Sequence, residues 1–151
     1  MNSTFPVALL LYAAALPAIA SEPHRVPLDA ATLAASPREP VDADAYGKPL
    51  HCSGVPLAAL LRNAGAMPAE PLRGAQLARI VRVTARDGYR VVFSLAELDA
   101  TLGNARVFVV DACDGKTLDE HDGPLRLLVT DDTRPARSVR QVQAIDVVDA
   151  P

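Results

Sequence analysis

The chain contains no tryptophan, two cysteines and three histidines, and aromatic residues fill only 4% of its 151 positions. Each scarcity excludes a class. Two cysteines cannot staple a disulfide-dense miniature fold or fill a four-cysteine zinc module, and so few rings build no base-stacking surface. The net charge of −3 argues against nucleic acid as the partner, because phosphate binding needs a concentrated basic face. What the chain does have is apolar residues, at 50%, and a length suited to one core.

Val7 to Ala20 runs without a charge and ends Leu16-Pro17-Ala18-Ile19-Ala20 before Ser21-Glu22. The run is too short to cross a hydrocarbon layer of roughly 30 Å as a helix, and Ala18 and Ala20 are the small residues that signal peptidase accepts. The expectation is a signal peptide over 1–20 and one domain over 21–151, exported to the periplasm or secreted, with no membrane span in the mature chain. Export places Cys52 and Cys113 in an oxidising compartment, where a disulfide is chemically allowed. Pairing needs Cα atoms roughly 4.4–6.8 Å apart, which sequence does not show, so a Cys52–Cys113 bridge and two free thiols both stand open.

Short elements alternate along the mature chain. Asp29 caps a brief helix through Leu33, ending near Ser36-Pro37. Val41 to Ala45 and Leu50 to Ser53 read as a hairpin around Tyr46-Gly47-Lys48-Pro49. Pro56 to Ala64 reads as a helix with Leu57, Leu60 and Leu61 on one face and Gly65 as its C-terminal cap. Leu77 to Ala85 and Tyr89 to Phe93 form a second hairpin across Arg86-Asp87-Gly88. Ser94-Leu95-Ala96-Glu97 has capping-box spacing, which makes Glu97 structural, and Gly103 is expected to close that helix. Val107 to Ala112 reads as a central strand buried on both faces, with further strands over Leu125 to Val129 and Ala144 to Val148. Many short strands with a few short helices predict an α+β fold.

Four segments carry a resemblance: Gly54-Val55-Pro56-Leu57 with Leu60-Leu61; Thr84-Ala85-Arg86-Asp87-Gly88-Tyr89; Asp114-Gly115-Lys116-Thr117-Leu118 followed by Gly123-Pro124-Leu125-Arg126-Leu127; and Arg137-Ser138-Val139-Arg140 with Ile145. In this order they resemble the molybdopterin-binding domain of the sulfite oxidase family. The resemblance implies an α+β fold of several small mixed sheets and, in complete members, a pterin cofactor whose molybdenum takes one cysteine thiolate. The stretch where that cysteine belongs reads Val41-Asp42-Ala43-Asp44-Ala45-Tyr46 and has none. Molybdopterin is therefore expected to be absent.

Cys52 is the nearest substitute ligand and the basis of an alternative, a working molybdopterin-dependent oxidoreductase. Neighbouring His51 faces the opposite side of a strand, and no two histidines have metal-ligand spacing, so no zinc or copper site is expected. Asp119-Glu120-His121-Asp122 reads as a solvated turn. Arg126, Arg134, Arg137 and Arg140 concentrate near the C-terminal end, and the resemblance puts Arg137 to Arg140 near the family's pterin and anion region. Guanidinium groups fork onto oxyanions, so Arg126, Arg137, Ser138 and Arg140 are the candidate anion or pterin contacts. The opposing reading pairs these arginines with Asp131 and Asp132 on the surface. The function expected is an accessory module that binds a small anion or a periplasmic protein partner.

Overall fold

Two-residue turns and alternating apolar positions organise most of the chain into antiparallel hairpins. The structure is a computed structural model that describes residues 22–150; the leader expected over 1–20 lies outside the described residues. The elements are β1 (His24–Arg25), α1 (Ala30–Ala34), β2 (Glu39–Ala45), β3 (Lys48–Pro56), α2 (Leu57–Asn63), β4 (Arg79–Ala85), β5 (Arg90–Ser94), α3 (Leu95–Leu98), β6 (Val107–Cys113), β7 (Lys116–Thr117), β8 (Arg126–Val129) and β9 (Val142–Asp149). Gly74–Ala78 and Pro135–Arg137 are short 3-10 turns. One sheet has the order β1-β9-β4-β5; the other runs β2-β3-β6-β7, with β8 also paired to β6. Every strand pair among the described residues is antiparallel, and the fold is α+β. None of the described helices is long and apolar enough to cross a membrane.

Local chemistry accounts for the boundaries. Tyr46 (φ 57°) and Gly47 (φ 80°) form the two-residue turn between β2 and β3, so the turn is tighter than expected and Lys48-Pro49 already belong to β3. Helix α2 buries Leu57, Leu60 and Leu61 completely, each contributing about 1.5–3 kcal/mol of burial. It ends in a Schellman motif: Ala66 N–H donates to the Leu61 carbonyl and Gly65 N–H to that of Arg62. The capping box of α3 is present, with Glu97 N–H donating to Ser94 Oγ at 3.0 Å and Ser94 N–H to Glu97 Oε2 at 2.8 Å.

Two expectations need correction. Leu77 and Ala78 lie in a 3-10 turn, and the strand starts at Arg79. Gly103 does not close α3, which ends at Leu98. A Cβ at Gly103 would lie 2.6 Å from the Glu97 backbone, so glycine is required there for close approach. The two-residue strands β1 and β7 carry no periodicity that a sequence reading can detect.

The five-stranded sheet is buried on both faces along β8 and the first four residues of β6. Along β6, Val107 and Val109 join the main core with α2, α3 and the other sheet, while Phe108 and Val110 turn to a smaller cluster with Val41, Leu50, Cys52 and Leu128. Strand β8 alternates likewise, and its Arg126 lies directly opposite Val110. Arg126 therefore enters from the face that carries the small cluster.

Cys52 and Cys113 are direct partners of β3 and β6 and form a disulfide, with Cα atoms 3.9 Å apart, closer than the usual range. Their neighbours His51 and Asp114 carry a ladder bond, Asp114 N–H to the His51 carbonyl at 2.7 Å. By alternation, the cysteines occupy a non-hydrogen-bonded pair, where side chains approach most closely.

Candidate functional site

Beside the small cluster lies an open cavity of about 750 Å³. Its walls come from the β2–β3 turn (Tyr46, Lys48), the β4–β5 turn (Asp87, Tyr89), the loop Asp119–Asp122, Arg126 of β8, and the segment Ala136–Gln141. Gln141 ties these loops together. Its backbone sits at φ 50°, rarely occupied by a side-chain-bearing residue. Gln141 N–H donates to the Asp122 carbonyl at 3.0 Å, its side-chain amide to the Glu120 carbonyl at 2.7 Å, and its own carbonyl accepts from Arg86 N–H.

The cavity has three acidic residues, Asp87, Asp119 and Asp122, and three basic ones, Lys48, Arg126 and Arg140. The acids are engaged within the protein. Asp87 accepts from Tyr89 N–H at 2.9 Å, and Asp119 from the N–H groups of His121 and Asp122 at 3.0 and 2.9 Å. Asp122 accepts from Arg126 Nη1 at 2.9 Å. His121 bridges the set: Nδ1 is 3.3 Å from Asp122 and Nε2 is 3.0 Å from Arg140 Nη1. A guanidinium only donates, so the tautomer protonated on Nδ1 satisfies both contacts.

The bases have donors to spare. Arg126 is 6% exposed, and its Nε is buried with no hydrogen-bond partner among the described residues. Arg140 is exposed and, among the described residues, has only a 3.9 Å contact to Asp122 besides His121. Buried polar atoms are nearly always satisfied, so an orphaned guanidinium N–H marks a place for an acceptor.

Of the candidate anion contacts, the fold brings Arg126, Ser138 and Arg140 to this cavity. Ser138 Oγ accepts from Val129 N–H at 3.1 Å, so it fastens the wall. Arg137 is elsewhere and is corrected to a structural residue. Its guanidinium donates to Asp132 at 2.6 and 2.8 Å and to Glu97 at 3.0 Å, and lies 4.7 Å above the Phe93 ring. Arg134 is exposed and does not line the cavity. The opposing reading thus holds for Arg137 with Asp132, whereas Asp131 accepts from the Arg106 backbone instead.

The Arg137 side chain holds the Asp132 carboxyl below its ordinary value of 3.8. A depressed folded value means that the pair's stabilisation is complete above 3.8 and is lost as pH falls through the lowered value. Asp132→Asn lacks this contribution, so its stability deficit against the parent should narrow as pH drops below 3.8. Urea denaturation at neutral and acid pH measures this; a deficit independent of pH would show that the pair does not stabilise through charge.

Sequence reasoning missed Lys48 and Tyr46, which reach the site only through the β2–β3 pairing, and dismissed His121 and Asp122 as a solvated turn. The spacing of Asp122 and Arg126, four residues apart across Gly123-Pro124, was the available signal. Donor atoms of Asp119, His121 and Asp122 lie within 4.8 Å of one another, but Arg126 and Arg140 already occupy the cationic positions around Asp122. The residues do not fit a thiolate-ligated molybdenum. Cys52 and Cys113, the chain's only cysteines, are bonded to each other, so neither offers a thiolate. Comparison with models of protein families and with curated proteins finds none that matches this chain.

Proposed function

We propose that the chain is an exported binding module for a small oxyanion, related to the sulfite-oxidase-type molybdopterin domain but lacking the molybdenum ligand. The orphaned Nε of buried Arg126 carries this reading: beside it, Arg140 and Lys48 supply further donors, while the acids of the cavity are taken up by the protein itself. Guanidinium groups present parallel N–H donors that match the oxygens of sulfate, molybdate or a carboxylate. The disulfide fits an oxidising compartment, and the four resembling segments support the family assignment. The alternative, with Cys52 as a molybdenum ligand, would first require that bond to be reduced.

Calorimetric titration with sulfate and with molybdate tests the reading. The parent should show saturable binding, and Arg140→Ala should weaken it at least about tenfold, the scale of one lost charge-assisted contact. Absence of saturable binding, or affinity unchanged in Arg140→Ala, would overturn it. So would molybdenum near one atom per chain in the natively exported protein.

A further inference from the structure

We propose that the solvent face of the four-stranded sheet carries a second anion site, for a free tetrahedral dianion such as inorganic phosphate, held by Arg25, Arg82 and Arg90 around Asp146. The strand register builds it. Arg25 of β1 and Arg82 of β4 both stand opposite Asp146 of β9, one on each side. Thr84, two residues along β4 on the same face, stands opposite Arg90 of β5. The opposite face of the sheet is core, with Val81, Val83, Ile145 and Val147 fully buried, so the arginines share the outer surface.

A carboxylate on an open sheet face should be wet, yet Asp146 is only 2% exposed. Arg25 and Arg82 flank it, and both its oxygens are in use: Oδ1 accepts from Arg25 Nε at 2.5 Å and Oδ2 from Arg82 Nη2 at 3.3 Å. One buried carboxylate thus fixes two guanidinium groups without neutralising the cluster. Arg90 pairs with no carboxylate among the described residues, so three cations face one anion in a chain of net charge −3. Between them lies a cavity of about 390 Å³ that Thr84 and Gln143 also line, adding a hydroxyl and an amide. An excess of two positive charges, fixed donors and neutral polar walls match a small dianion with several acceptor oxygens.

The experiment is calorimetric titration with inorganic phosphate at constant ionic strength, using Arg140→Ala so that the other cavity binds at least about tenfold more weakly and the tight site is read apart from it. One saturable site should remain, and adding Arg90→Ala should weaken it at least about tenfold. Arg90 is the residue to remove because no ion pair depends on it, and an unchanged urea midpoint verifies that the fold survives. No saturable phosphate binding by Arg140→Ala, or equal affinity with and without Arg90, would overturn the site and leave the reading of the first cavity untouched.

Discussion

Replacing Cys52 and Cys113 together by alanine should lower the stability of the protein by about 4 kcal/mol, the chain-entropy value for a closed loop of this length. The bridge joins residues separated by 61 positions, so the unfolded chain gains much freedom when it is cut. For a domain of this size the loss corresponds to a fall in melting temperature of about 15 °C. The location of the bridge makes the loss matter. The β2–β3 hairpin packs on the small cluster of Val41, Leu50, Cys52, Phe108, Val110 and Leu128, far less apolar surface than the main core provides. The same hairpin supplies Tyr46 and Lys48 to the larger cavity. Thermal and urea unfolding of the double variant measure the effect, and reduction of the parent protein should reproduce it. A double variant within about 1 kcal/mol of the parent would show that the loop is already constrained by packing and that the bridge adds little.

Features encoded over a few residues were legible in the sequence. The capping box of Ser94 and Glu97, the C-terminal cap at Gly65 and the buried strand expected over Val107 to Ala112 depend on local spacing and hydrophobic pattern; the structure has both caps, and the strand is fully buried over its first four residues. Partner choice was not legible, because it depends on register between distant strands. Whether Cys52 meets Cys113 depends on how β3 aligns with β6, and a one-residue slip would have put the two on opposite faces. Arg137 and Arg140 looked equivalent in sequence. The fold separates them, because Arg137 meets Glu97 and Phe93, both far away in the chain, while Arg140 meets His121. The acidic turn before Gly123 looked solvated for a related reason: the four-residue spacing of Asp122 and Arg126 does not by itself turn one toward the other, and nothing local reveals that Gln141 fastens the loop from the other side.

That Asp122–Arg126 pair separates a binding site from an inert ion pair. Asp122→Ala should destabilise the protein by about 3 kcal/mol, since it leaves the 6%-exposed Arg126 cation without a carboxylate. Arg126→Met should cost about 1 kcal/mol or less. It keeps an apolar stem of similar length and removes the orphaned Nε, while Asp122 is open enough to be hydrated and stays near His121. A purely structural pair predicts only this asymmetry. An anion site predicts one thing more, because an oxyanion can take the place of the missing carboxylate. Molybdate at low millimolar concentration should then raise the melting temperature of Asp122→Ala more than that of the parent, and that of Arg126→Met least, because the sheet-face site contributes equally to all three and only a ligand that binds the native state stabilises it. Equal stabilisation of all three proteins would come from the sheet-face site or an excluded salt alone and would remove Arg126 from the proposed site.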